Sequence, residues 1–211
     1  SLSPDGKTIV FTYKGDLYKV PAGGGTAIQL TQHEAHDFMP VWSPDGSSLA
    51  FASDRYGNFD VFSIAVSGGE PKRLTQHSAN EYPYSFSPDG KTVYFGGARM
   101  DAAGNRQFPT ASLPELYQVP AAGGRALQVL TTPAEDVKWS KDGQRFLYHD
   151  KKGGENQWRK HQQSAIARDI WLHNTKTGEH RQLTTFAGED RNPVWADGEK
   201  AVYYLSEASG S

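Results

Sequence analysis

Pro40-Val41-Trp42-Ser43-Pro44-Asp45-Gly46, followed by Leu49-Ala50-Phe51-Ala52-Ser53-Asp54-Arg55, is the stretch from which the rest of the chain can be read. Proline at the second position of Ser-Pro-Asp-Gly fixes φ, aspartate bonds the local backbone, and glycine takes the left-handed conformation that returns the chain into an antiparallel partner. The unit is therefore hairpin chemistry, a turn rather than a ligand site. It recurs as Ser3-Pro4-Asp5-Gly6 and Ser87-Pro88-Asp89-Gly90, and in weaker form as Ser140-Lys141-Asp142-Gly143 and Ala196-Asp197-Gly198. Successive copies lie 40, 44, 53 and 56 residues apart. An aromatic residue precedes four of them, Trp42, Phe86, Trp139 and Trp195, with Pro40, Pro83 and Pro193 a little upstream.

Each turn is followed by a β-rich run: Thr8-Ile9-Val10-Phe11, Leu49-Ala50-Phe51, Val93-Tyr94-Phe95, Arg145-Phe146-Leu147-Tyr148 and Ala201-Val202-Tyr203-Tyr204. A second anchor of acid, aliphatic and aromatic residues starts a third strand at Asp16-Leu17-Tyr18, Asp60-Val61-Phe62, Glu115-Leu116-Tyr117 and Asp169-Ile170-Trp171. Glycine turns at Gly23-Gly24-Gly25, Gly68-Gly69, Gly123-Gly124 and Gly178 lead to Leu30-Thr31, Leu74-Thr75, Leu130-Thr131 and Leu183-Thr184, which close a fourth strand. Four antiparallel strands repeating every ~40 to 45 residues match a propeller blade. The expected fold is all-β, a β-propeller of about four and a half four-stranded blades, with a parent of six or seven. The expected blades are 1–34, 38–77, 81–132, 134–185 and a partial fifth at 190–211. The first lacks most of its inner strand and the fifth stops before its third, so more chain is expected in the parent.

Composition agrees with this class and narrows function. Twelve per cent aromatic residues, 22 glycines and 12 prolines, with 36% hydrophobic residues, suit a turn-rich β protein. With 22 Lys plus Arg against 24 Asp plus Glu, there is no basic excess to neutralise a phosphate backbone, and no nucleic-acid partner is expected. No apolar run approaches the roughly 18 to 20 residues of a membrane helix, and no basic-then-apolar leader opens the chain. The absence of cysteine excludes disulfides, thiolate ligands and a cysteine nucleophile, and suits either cytoplasm or periplasm.

Long excursions on a rigid scaffold are common places for binding. In a blade, the loops joining second to third strands open on the same face as the loops between blades, and the Ser-Pro-Asp-Gly and glycine turns lie on the opposite one. The second-to-third loop grows to Gly96 through Pro114 in blade 3 and to Asp150 through Arg168 in blade 4. The candidate binding residues on this elaborated face are Arg99, Asp101, Arg106 and Phe108 in blade 3 and Trp158, Arg159, Lys160 and His161 in blade 4. They mix basic groups with aromatic rings, which suits a carboxylate or a peptide. Between blades an acid stands five residues before the aromatic, as Asp37, Glu81 and Asp190, with Glu135-Asp136 nearby in blade 4. Such acids either attract a cation or, more commonly, hydrogen-bond adjacent backbone to register the blades.

Catalytic machinery is not expected. No GxSxG elbow, P-loop or GxGxxG occurs, and the seven histidines have no serine partner in a recognisable motif. His33-Glu34-Ala35-His36 lacks the helix and spacing of the HExxH pattern, so no metal site is assigned there and no cofactor is expected.

The string Pro40 to Arg55 resembles the TolB-type propeller repeat, and the resemblance covers essentially the whole chain. That repeat occurs in TolB, in tricorn-like serine proteases and in propellers attached to prolyl-oligopeptidase-like hydrolases. Gly188-Glu189-Asp190-Arg191-Asn192-Pro193-Val194-Trp195, Tyr203-Tyr204-Leu205-Ser206, Asn105-Arg106-Gln107-Phe108-Pro109 and Gly154-Glu155-Asn156-Gln157-Trp158-Arg159-Lys160 resemble the N-terminal propeller of tricorn-like proteases. The resemblance implies a peptidase parent whose serine nucleophile lies elsewhere. It further implies a propeller that filters, guides or docks peptide or protein substrates beside the remaining domains of its parent, in a periplasmic or secreted setting. The alternatives are a TolB-like periplasmic interaction scaffold and the lid propeller of a prolyl-oligopeptidase-like enzyme.

Overall fold

A computed structural model describes residues 1–99, 113–153 and 164–209. The chain forms two compact units, Ser1–Gly97 with Tyr117–Val129, and Ala98–Leu116 with Leu130–Ser211. Apart from one three-residue 3-10 turn, every regular element among the described residues is a β-strand.

The first unit begins with β1 (Thr8–Tyr13), β2 (Asp16–Pro21) and β3 (Ile28–Gln29), paired in that order. Among the described residues a single antiparallel bridge from Leu2 to Ile9 stands for an inner strand there. The next sheet is complete: β4 (Asp37–Trp42), β5 (Ser48–Ser53), β6 (Asp60–Ala65) and β7 (Lys72–Arg73). It is followed by β8 (Glu81–Phe86), β9 (Thr92–Gly97), β10 (Glu115–Pro120) and the first residues of β11 (Leu127–Trp139).

Two cores show why the strands have the composition they do. Leu49, Phe51, Phe62 and Ile64 face Val10 and Leu17, whereas Ala50, Val61 and Leu74 face Phe86, Val93, Phe95, Tyr117 and Val119. Alternate residues of β5 and β6 thus feed opposite cores, and a sheet buried on both faces needs apolar residues at successive positions. Each fully buried Leu or Phe contributes roughly 1.5–3 kcal/mol.

In the second unit the C-terminal half of β11 pairs with β12 (Arg145–Asp150), which pairs with β13 (Ile170–Asn174) and then β14 (His180–Gln182). β15 (Asp190–Ala196) and β16 (Ala201–Ser206) form a two-stranded sheet. Phe146, Leu147, Tyr148 and Ile170 are buried, with Trp139 against Phe146 at 4.9 Å between ring centroids.

The turn chemistry repeats almost atom for atom. The hydroxyls of Ser3, Ser43, Ser87 and Ser140 donate to Asp5, Asp45, Asp89 and Asp142 at 2.5–2.6 Å. The same hydroxyls accept the backbone N–H of Thr8, Ser48, Thr92 and Arg145 at 2.9–3.1 Å. Gly46 at φ 71°, like its three counterparts, supplies the left-handed step that closes the turn. These donors also hold the aspartates ionised. Hydrogen bonds from Ser43 and from the Ser47 backbone and hydroxyl bring Asp45 down to about 2.

Two readings of the repeat need correction. Ala196-Asp197-Gly198 is not another such turn but leads into a 3-10 segment over Asp197–Glu199, and alanine stands where the other copies have serine. Leu130-Thr131 does not end a strand either. Both residues lie inside the thirteen-residue β11, and Thr131 is exposed, unlike Thr31, Thr75 and Thr184.

Candidate functional site

The ends of the strands opposite the Ser-Pro-Asp-Gly turns are joined by a repeated lock. The backbone N–H of Asp37 donates to the Gly15 carbonyl, that of Glu81 to Phe59 and that of Asp190 to Arg168, at 2.7, 2.7 and 3.1 Å. Each bond ties the start of an inner strand to a residue one or two places before the previous blade's third strand. The acids therefore register adjacent blades through their main chain, and their carboxylates remain for other partners. A bulge follows within a few residues in β4, β8, β11 and β15, and Met39, Asp136 and Asn192 in three of these bulges take φ of 54–55°.

In the first unit Asp37, fully buried, accepts from Arg55 Nη2 at 2.6 Å. Asp60, also buried, takes Arg73 at the same distance, and burial dominates its carboxyl, pushing it up against the opposing pull of Arg73. Beside Asp37, the rings of Phe38, Phe59 and Tyr82 meet at centroid distances of 4.9–5.8 Å, and His36 packs edge-on to Phe38 at 5.2 Å. His36 is thus an aromatic neighbour, and His33 Nδ1 accepts the backbone N–H of Ala35.

The second unit carries the denser constellation. Glu135 Oε2 lies 3.3 Å from His149 Nε2 and 3.6 Å from Arg168 Nε, and Oε1 lies 3.5 Å from Lys151. Arg168 reaches Glu189 at 3.1 Å. The Asn192 N–H donates to His149 Nδ1 at 3.3 Å, so in the neutral ring the proton sits on Nε2 and points to Glu135. Burial pushes the Glu135 carboxyl up, but the His149 hydrogen bond and the charges of Lys151 and Arg168 outweigh it and hold it below its usual value. Lys152 is tied to Asp169 at 2.6 Å and Asp150 at 3.4 Å.

Lys151, Lys152 and Arg168 flank the blade 4 insertion, so these ion pairs fix its two ends to the scaffold. Removing one partner from such a cluster leaves an uncompensated charge, which costs about 3–5 kcal/mol where burial is complete. Among the described residues no three His, Cys, Asp or Glu side chains converge as a metal site requires. The arrangement orients and neutralises; no nucleophile stands beside His149 among its described hydrogen-bond partners.

Of the residues singled out in the sequence, Arg99 is half-buried and held by an interaction. Asp101, Arg106, Phe108, Trp158, Arg159, Lys160 and His161 lie outside the described residues. The sequence reading passed over Arg55, His149 and Arg168. Arg55 had a signal: it stands eighteen residues after Asp37, the spacing that Glu81 and Arg99 repeat.

Residues 3–211 match the family described as the tricorn protease N-terminal beta propeller domain. Dipeptidyl-peptidase 5 of Porphyromonas gingivalis is 34% identical over 71 residues, covering 29% of this chain and 10% of that protein. The crystal structure of the tricorn protease superposes with a TM-score of 0.78 at 20% identity, over 97% of this chain and 20% of that one. The putative TolB of Agrobacterium tumefaciens gives 0.71 at 20% identity, over 97% and 73%. TolB of Acinetobacter baumannii gives 0.69 at 20% identity, over 95% and 46%. At these identities the superpositions speak for fold alone. This chain spans a tenth of the dipeptidyl-peptidase and a fifth of the tricorn protease. No helix among the described residues is long and apolar enough to cross a membrane. The blades, their turns and the match over 3–211 together place the chain in the tricorn protease N-terminal β-propeller family.

Proposed function

We propose that this chain is the non-catalytic propeller region of a tricorn-like serine peptidase and that it guides or docks peptide or protein substrates for a catalytic domain elsewhere in the parent. The observation that carries the reading is the family match across residues 3–211. The ionic frame of Glu135, Lys151, Arg168 and Glu189 supports it by giving the blade 4 insertion a rigid base on which to meet a substrate. A periplasmic or secreted setting belongs to the same proposal.

The test compares long unstructured peptides with short chromogenic ones as substrates of the parent, before and after residues 154–163 are replaced by a short Gly-Ser linker. A guiding role lowers kcat/KM for the long peptides and leaves the short ones unchanged. Equal effects on both, or on neither, overturn it. The isolated 211-residue chain is expected to show no peptidase activity, and turnover abolished by one serine substitution within it would refute the non-catalytic assignment.

A TolB-like interaction scaffold is the second reading, favoured by the superposition that covers 73% of the Agrobacterium protein. A parent without peptidase activity that retains a protein partner would select it.

A further inference from the structure

The acid that opens an inner strand has a basic partner set by strand register. Asp37 lies opposite Ser53, and Arg55, two residues beyond Ser53, brings its guanidinium to 2.6 Å. Glu135 lies opposite His149, and Lys151, two residues beyond, brings its ammonium to 3.5 Å. Asp190 lies opposite Ser206, so the equivalent position is Ala208.

Blade 5 has kept the acid and lost the base. Asp190 is 1% exposed, its Oδ1 has no hydrogen-bond partner among the described residues, and, unlike Asp37 and Asp60, it has no described ion-pair partner. Glu189 Oε1 and Glu207 Oε2, one residue from Asp190 and from its cross-strand partner Ser206, also lack hydrogen-bond partners among the described residues. The neighbouring cation, Arg168, is already engaged by Glu189 and Glu135. Ala208, exposed, supplies neither charge nor hydrogen-bond donor. A buried carboxylate without a counter-charge is strongly unfavourable, and a planar guanidinium is the group that the same corner of blade 2 holds. Among the described residues no further carboxylate converges on Asp190 as a metal site requires, and the corner's counterpart in blade 2 holds an organic cation.

We propose that Asp190 is an acceptor site for a guanidinium or ammonium group that the described residues do not supply. The cation is an arginine or lysine side chain, carried either by a peptide ligand or by another segment of the parent. The site stands on register and burial within this chain, so it can hold even where the substrate-guiding reading fails, and that reading is judged by turnover rather than by binding.

The test follows thermal unfolding of the 211-residue chain with N-acetyl-arginine amide and with its neutral citrulline counterpart at equal ionic strength. The arginine compound raises the unfolding temperature in a dose-dependent way and the citrulline compound does not. Asp190→Asn weakens the apparent affinity about tenfold or more, as expected for one charge-assisted hydrogen bond. Ala208→Arg places the guanidinium where Arg55 carries it in blade 2, raises the unfolding temperature by about 2–4 °C without ligand, and removes the response to added arginine. Should Asp190→Asn fail to fold, Ala208→Arg still decides. In the intact parent, a retained response identifies an exchangeable ligand, and a response confined to the 211-residue chain identifies a cation from the parent itself. Equal effects of arginine and citrulline together with no gain from Ala208→Arg overturn the proposal.

Discussion

His173 shows how a single side chain can set the pH range of a β-sheet. It is 7% exposed on β13, its ring 4.8 Å from Phe146 and 4.2 Å from its cross-strand partner His180, and its Nδ1 has no partner among the described residues. His180 in turn meets the Tyr148 hydroxyl through Nδ1 at 2.7 Å. Burial, reinforced by His180, pushes His173 from 6.5 down to about 4, and burial lowers His180 as well. Between those pH values the unfolded chain binds the proton that folded His173 refuses. Its contribution is therefore complete above about pH 6.5 and is lost as the pH falls toward 4. The expected loss by pH 4.5 is roughly 2–3 kcal/mol from His173 alone. Urea unfolding at pH 7 and 4.5 checks it. His173→Phe should shrink the difference between the two pH values by that amount, and an unchanged difference would refute the assignment.

At the scale of the element, the recurring Leu-Thr pair acquires a function that its spelling does not announce. The hydroxyls of Thr31, Thr75 and Thr184 accept the backbone N–H of Leu17, Val61 and Ile170 at 2.9–3.0 Å, clasping the outer strand to the start of the third. Thr75→Val keeps the shape and removes the acceptor, leaving the buried Val61 N–H unpaired at a cost of about 1–3 kcal/mol. Thr131→Val, at an exposed position of β11, should change stability by less than about 0.5 kcal/mol. Denaturant midpoints of the two variants give the comparison, and equal losses would mean that the clasp contributes nothing.

The same contrast explains what the sequence reveals. The Ser-Pro-Asp-Gly turns and the buried run Leu49-Ala50-Phe51-Ala52 rest on contacts a few residues apart and on period-two burial, so both are legible. The pairing of Asp37 with Arg55 or Glu135 with Lys151 depends on cross-strand register, and each of these inner strands carries a bulge that shifts register by one residue. Composition does not locate a bulge, so the acids are visible in the sequence, whereas of the basic residues only Arg55 and Arg99 leave a trace, the shared eighteen-residue spacing. Thr131 was misread for a related reason: its dipeptide matches the others, but the strand around it continues through the position where they end.

At the scale of the whole molecule, the uneven covering of strands leads to a test of association. β5, second in its sheet, has Leu49, Ala50, Phe51 and Ala52 at 0% exposure. β16, second in its own, leaves Tyr203 65%, Tyr204 43% and Leu205 59% exposed, and Val194 beside them in β15 is 43% exposed. Because successive side chains of a strand point to opposite faces, three consecutive exposed residues mean that β16 is open on both. Among the described residues it has only β15 as a hydrogen-bonded neighbour. An apolar strand with one free edge favours pairing with a second copy. The 211-residue chain should therefore self-associate as its concentration rises, seen as a concentration-dependent mass in sedimentation or light scattering. Leu205→Lys puts a charge on one exposed face without touching a buried contact, and should return the chain to monomer at the same concentration while leaving its unfolding midpoint nearly unchanged. A wild-type chain that stays monomeric throughout would show that β16 is already covered in solution. Association that survives Leu205→Lys and Tyr203→Lys together would place the contact on another surface.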